Sequence, residues 1–291
     1  MTIKGFRHII SFTAAVASVT VILTAVLFVR THARSQQTEV IFLDIGQGDS
    51  VLIKTRYGQN ILIDGGRDNR VLDRLGRNLP FFDRRLDMVI ATHPDADHIA
   101  GLVPVLARYD VGLVLDPGVT HDSAVFEALY NVINQKQIPV RYVESRQTYE
   151  LGEGITLDVL YPNRSFVGKD IEDNNVASII VKFTDHEIDY MLTGDAPSEV
   201  ENALVASYGK YLDAEVLKAG HHGSDTSSSD LFLDAVAPEV AVIQVGADNR
   251  YGHPSFRVLN RLKARNIPVL RNDELGDITL ATDGETVEWA P

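Results

Sequence analysis

The chain has 291 residues, 45% of them hydrophobic, enough for one large or two modest domains around a buried core. Its formal net charge of −13 argues against a polyanion binder with a basic surface all round. It is compatible with a site where bound divalent cations offset charge at the point a phosphate must occupy. Cysteine is absent, which excludes disulfides, Cys-ligated zinc, iron–sulfur clusters and a thiol nucleophile, so any metal must be held by His, Asp, Glu or Asn.

Ile9 to Val29 is an uncharged run of 21 residues, long enough to span a bilayer core. Lys4, Arg7 and the terminal amine outweigh Arg30 and Arg34, which places the N-terminus inside and the rest of the chain outside the cytoplasm. Residues 1–30 are therefore expected to form a transmembrane signal anchor, with 31–37 as linker and 38–291 as the folded domain. A cleaved signal peptide is the competing reading, and both readings export the domain.

After the linker, Val40–Asp44, Ser50–Ile53 and Asn60–Asp64 read as successive strands separated by Gly-rich turns, a β-meander. Asp64 ends the third strand, where a carboxylate could orient a metal-bound imidazole. The run Met88–Ala91 then delivers Thr92-His93-Pro94-Asp95-Ala96-Asp97-His98. Two imidazoles and two carboxylates within six residues, on a strand-to-helix loop, read as one wall of a metal site, with Asp97 also placed to cap the following helix. The plainer alternative is a capped loop of solvated charges.

Strands and helices alternate from there: a strand at 111–115, a helix at 123–135, strands at 140–143 and near 155–160. Asp173-Asn174-Asn175 enters a strand, and Asn175 reads either as a weak ligand or substrate contact or as an ordinary turn residue. Ile188–Asp195 is a strand with a carboxylate at its end, followed by a helix over 197–208. Glu215–Gly223 leads to His221-His222; adjacent residues leaving a strand point in different directions, so the pair is not expected to share one role. Ser224 opens a polar run able either to offer hydroxyls to a phosphate or simply to enter a helix. His253, in Tyr251-Gly252-His253-Pro254-Ser255 before a helix over 256–264, follows a strand in step with His93, Asp195 and His222, which points to catalysis.

His93-x-Asp95-x-Asp97-His98 resembles the first metal motif of the metallo-β-lactamase superfamily, whose commoner form has His where this chain has Asp95. The Asp form is similar to the ComEC/Rec2-like branch, as are the turns Asp44–Ser50 and Leu62–Gly66, the Asn174-Asn175 pair and the loop Tyr251–Ser255. The resemblance implies an α/β fold, the four-layer αββα sandwich, and two divalent metal ions. It assigns His93, Asp95 and Asp195 to one metal and Asp97, His98, Asp195 and His222 to the other, with Asp195 bridging. His221 falls on the substrate side, though His221 and His222 could be exchanged. Ions so placed lower the pKa of a water between them, and the catalytic set is Asp97 with His253 or His221 as proton donor. Carboxylate in place of imidazole at Asp95 makes the site harder, favouring Mn²⁺ while leaving Zn²⁺ and Mg²⁺ open.

The expectation is thus a membrane-anchored, extracytoplasmic phosphodiesterase, a nuclease of single-stranded DNA by analogy, requiring a separate membrane channel if it serves DNA uptake. A hydrolase of a small or cell-wall-polymer phosphodiester is the second enzyme reading, and a non-catalytic binding module with a metal the third. Lactam hydrolysis fits poorly, because Asp95 and Asn175 depart from that pattern.

Overall fold

The computed structural model describes residues 37–290. The expected anchor and nearly all of the linker lie outside these residues; among the described ones, no helix is long and apolar enough to cross a membrane.

Two large mixed sheets dominate the domain. In spatial order the first comprises Val287–Ala290, Ile278–Thr282, Thr38–Phe42, Val51–Lys54, Asn60–Ile63, Met88–Ile90, Val114–Asp116 and Val140–Tyr142. The second comprises Val269–Arg271, Val240–Ile243, Val216–Lys218, Ile188–Leu192, Ile180–Asp185, Ile155–Tyr161 and Gln147–Gly152. In each, an antiparallel meander gives way to parallel strands where helices supply the crossovers.

The strands read as nearly continuous apolar runs because both faces of both sheets are covered. Val40, Phe42, Val51, Ile53, Ile61 and Ile63 face inward and meet Leu157, Val181, Phe183, Tyr190 and Val242 of the other sheet in one core cluster. Their neighbours Ile41, Leu52 and Leu62 point the other way, into a cluster with the helices Arg70–Asn78, Leu102–Arg108 and Ala124–Lys136. Met191, Leu217, Ala241 and Ile243 do the same beneath Ser198–Tyr208, Asp230–Val236 and Phe256–Ala264. Period-two alternation thus builds three apolar layers and the four-layer αββα sandwich.

Three features differ from the expectations. The strand Ile278–Thr282 returns to pair antiparallel with Thr38–Phe42 and so extends the first sheet, with Val287–Ala290 outermost, a long-range pairing that periodicity does not announce. The helix expected after the central motif is two short helices, Ala96–Ile99 and Leu102–Arg108. Gly101 joins them, its N–H donating to Gly66 O at 2.8 Å, and a Cβ there would lie 1.9 Å from Gly65 O. The chain breaks where its backbone must touch the Gly65-Gly66 turn. Asp97, moreover, lies inside the first turn; Asp95 occupies the cap position, without a side-chain capping bond.

Asp116 is one of several buried carboxylates apart from the candidate site. It is 5% exposed and accepts a hydrogen bond from Gly118 N at 2.6 Å, but burial pushes its pKa up from 3.8 to about 6. Between about pH 4 and pH 6 the folded protein keeps a proton that the unfolded chain has lost. Its stabilising contribution is complete below that window and disappears as pH rises through it, by on the order of 3 kcal/mol. Urea midpoints measured from pH 4 to 7 should therefore fall more steeply in the wild type than in Asp116→Asn; parallel curves would contradict the assignment.

Candidate metal centre

The site forms at one end of the sandwich, where loops after strands of both sheets meet. From the first sheet come Asp49, Asp64 and the loop 92–98; from the second come Asp195, His221, His222 and His253. Three of these residues have left-handed backbones: Asp64 (φ 58°), His221 (φ 49°) and His222 (φ 53°). Non-glycine residues held there cost on the order of 1 kcal/mol each and persist where surrounding structure enforces them. Gly48 (φ +120°) carries the first loop under the central motif, where a Cβ would lie 2.1 Å from Asp97 O.

Three imidazoles have one nitrogen tied and the other aimed inward. His93 Nδ1 lies 3.0 Å from Thr92 Oγ1 and 3.4 Å from Ser178 Oγ. His98 Nδ1 lies 2.8 Å from Asp64 Oδ2, and His222 Nδ1 lies 3.1 Å from both Gln244 O and Asp49 Oδ1. Their Nε2 atoms are buried without a hydrogen-bond partner among the described residues, as is Asp195 Oδ1. Asp195 Oδ2 stands 3.2 Å from His98 Nε2, 3.3 Å from His222 Nε2 and 3.8 Å from His221 Nε2, while Asp97 Oδ2 reaches His222 Nε2 at 3.5 Å. Ligand atoms of His93, His98 and Asp195 lie within 4.8 Å of one another, as do those of Asp97, His98 and His222. Buried, unpartnered imidazole and carboxylate atoms converging this way fit divalent cations.

Protonation in the metal-free cluster follows the same geometry. Burial alone would lower His222 and His98, but Asp195 with Asp49 raises His222 to about 10, and Asp195 with Asp64 holds His98 well above its ordinary value. Burial and the charge on His98 push His93 down. Asp195, despite burial, is held far below the carboxylate range by His222 and His98. Protons thus occupy the places that cations would take, and binding a metal would displace them.

Asp95 sits further out, with Oδ2 3.7 Å from His93 Nε2, a side chain 39% exposed, and Oδ1 accepting from Asn174 Nδ2 at 2.7 Å. Asn174, then, touches the candidate ligand, while the side-chain oxygen of Asn175 is buried without a hydrogen-bond partner among the described residues. Ser224 is also buried, its hydroxyl 3.0 Å from Thr226 Oγ1 within its own turn. His221 and His222 both approach Asp195, contrary to the divergence expected of strand residues, because two successive left-handed residues fold the chain back on itself. His222 is buried and His221 half-exposed, with Nδ1 3.1 Å from Thr226 Oγ1. His253 lies beside His221 at a ring separation of 5.7 Å, and burial, then the charges of His221 and His222, lower its pKa.

Sequence reasoning missed two members. Asp49 was only part of a glycine-rich turn, yet it is 1% exposed and contacts His222 and the ammonium of Lys218. Lys218, 2% exposed, also donates to Gly194 O at 3.0 Å and lies 3.9 Å from Asp195 Oδ1. A lysine in an otherwise apolar strand, Val216–Lys218, was the available signal, because a buried ammonium requires a carboxylate partner. The cavity over these groups, about 150 Å³, is lined by Asp95, Asp97, Asp195, His221, His222 and His253, with Gln47 and Tyr251 at its edge.

The sequence profile described as "Metallo-beta-lactamase superfamily" matches residues 43–246. The chain is 29% identical over 261 residues to ComE operon protein 3 of Bacillus subtilis, covering 84% of this chain and 33% of that protein. It is 32% identical over 244 residues to competence protein ComA of Neisseria gonorrhoeae, covering 82% and 32%. It therefore spans about a third of the length of these curated relatives. Among solved structures, the metallo-β-lactamase fold protein YhfI of Bacillus subtilis superposes with a TM-score of 0.54 at 14% identity, over 84% of this chain and all of that one. The diiron β-hydroxylase CmlA of Streptomyces venezuelae gives 0.55 at 16% identity, over 84% and 54%. These two likenesses concern the fold alone. The chain belongs to the metallo-β-lactamase superfamily, and its sequence is of the ComEC/Rec2-like kind.

Proposed function

We propose that the protein is a metal-dependent phosphodiesterase acting on DNA outside the cytoplasm, held to the membrane by residues 1–30 and, if it serves DNA uptake, working beside a separate channel protein. The observation that carries this reading is the convergence of three unpartnered Nε2 atoms on Asp195, beneath a cavity rimmed by His221 and His253. The similarity to competence proteins supports the substrate class.

His93, Asp95, Asp97, His98, His222 and a shared Asp195 would hold two divalent ions, with Mn²⁺ favoured over Zn²⁺ by the carboxylate-rich donor set. Bound there, the ions supply charge neutralisation and a water acidic enough to attack phosphorus at neutral pH. The chain's residues do the rest. Asp64 accepts a hydrogen bond from the tied edge of His98 and Gln244 O from that of His222, with Asp49 Oδ1 3.1 Å from the same His222 nitrogen, so each ring presents its other nitrogen inward. Lys218 compensates buried Asp49. At the rim, His253 or His221 gives a proton to the leaving oxygen.

Purified protein should cleave single-stranded DNA and bis-p-nitrophenyl phosphate with Mn²⁺ faster than with Zn²⁺, and Asp95→His should shift that order toward zinc. Absence of turnover on every phosphodiester, with each of Mn²⁺, Mg²⁺ and Zn²⁺, would overturn the proposal. If His253 is the proton donor, His253→Ala should retain its metals by elemental analysis yet lose roughly 10²- to 10⁴-fold on DNA and far less on a p-nitrophenyl ester, whose leaving group needs no proton. Because a proton donor acts only in its protonated form, the ratio of wild-type to His253→Ala rates on DNA should grow as pH falls from 8 toward 6. Metal loss, or equal defects on both substrates, would assign His253 to structure instead.

A further inference from the structure

A second and larger cavity, of about 660 Å³, adjoins the metal centre and shares Gln47 and Tyr251 with it. Its lining carries three arginines and three carboxylates, and they differ in how far they are paired. Arg67, Arg70 and Arg250 line it. Of the carboxylates that line it, Asp44 is paired with Arg74 at 2.9 Å and Asp273 with Arg271, which leaves Asp248. Among the described residues, Arg67 and Arg250 make no ion pair and no side-chain hydrogen bond. Arg70 has an exposed contact of 3.1 Å with Asp68, a pair of little worth in water. The Arg70 guanidinium also packs against the backbone of Gly46, where a Cβ would lie 2.2 Å from it, so it is held at the wall of the groove. Arg67 and Arg250, beside the single free carboxylate of Asp248, thus offer two guanidinium groups with open donors in the groove of a protein of net charge −13.

The junction between the two cavities is aromatic. Tyr251 is 65% exposed, and its ring lies nearly parallel to His253, with centroids 5.9 Å apart and planes at 12°. A large exposed ring braced by a neighbour, between the candidate metal centre and a cavity lined by arginines, has the parts used to hold single-stranded nucleic acid: a stacking platform and guanidinium groups for the backbone.

We propose that this groove is a nucleotide subsite, in which a base stacks on Tyr251 while the phosphates flanking the scissile one lie against Arg67, Arg70 and Arg250. The proposal rests on the phosphodiesterase reading and narrows it to a single-stranded polynucleotide. A glycerol-phosphate polymer would use the arginines and have no base for Tyr251.

The test is fluorescence anisotropy of a labelled phosphorothioate oligothymidylate, and of an abasic strand of equal length, with the full chain and Mn²⁺ over a range of salt concentrations. The Arg67→Ala/Arg250→Ala double variant should bind oligothymidylate about ten-fold more weakly, and its log–log salt slope should be shallower by roughly 1.4, the loss of two phosphate contacts on a single strand. Tyr251→Leu should weaken oligothymidylate about ten-fold and the abasic strand hardly at all, with Tyr251→Phe restoring binding. Wild-type affinity and salt slope in the double variant would overturn the phosphate track; equal weakening of both strands by Tyr251→Leu would overturn the stacking role. Binding is read without turnover, so a protein that binds the phosphorothioate strand in this way yet cuts neither unmodified oligothymidylate nor bis-p-nitrophenyl phosphate would refute the phosphodiesterase and spare the groove. Cleavage of bis-p-nitrophenyl phosphate without strand binding would refute the groove alone.

Discussion

The contact on which the site depends is the buried Asp195 carboxylate beneath the Nε2 atoms of His98 and His222. A buried carboxylate is costly unless its charge is met, and this interior also contains Asp49 and Asp64. The compensation is local and two-sided. Lys218 meets Asp49, Thr92 donates to both oxygens of Asp64 through N at 2.8 Å and Oγ1 at 2.7 Å, and the imidazoles meet Asp195. What remains without a hydrogen-bond partner, among the described residues, is a set of inward-facing imidazole nitrogens and a carboxylate oxygen, which is the chemistry of a site for cations.

The sandwich makes this possible because its two sheets end together. Asp64 and the loop 92–98 leave adjacent parallel strands of the first sheet, while Asp195 and His222 leave adjacent parallel strands of the second. The core between them places those strand ends within side-chain reach. The backbone bears the cost of the final turn at Asp64, His221 and His222, each left-handed without being glycine. Strain at three site residues shows that the surrounding packing, and not local preference, dictates their directions.

Much of this was legible in the sequence, and the limits have physical causes. The strands could be read because residues such as Val40, Ile41 and Phe42 serve two cores at once, and the interleaved acids and imidazoles of 93–98 have little reason to crowd together without a metal. Asp49 and Lys218 were not read as a pair: they are 169 positions apart, and only the packing of one sheet on the other joins them. The sequence singles out Asn175, but the short 3₁₀ turn Asn174–Ala177 points the amide of Asn174 at Asp95 and buries the side-chain oxygen of Asn175. The arginine groove escaped notice because its residues come from segments far apart in the chain, and nothing in the sequence shows which arginines of an acidic protein lack a carboxylate partner.

The central claim is that these side chains form a two-cation centre about Asp195. Anomalous diffraction from crystals grown with Mn²⁺ tests it directly. The account predicts two peaks about 3.5–4 Å apart, with Asp195 between them, one reached by His93 and the other by Asp97, His98 and His222. A peak at Asp49 and Lys218 with none at Asp195, or no anomalous density near the three Nε2 atoms, would contradict it.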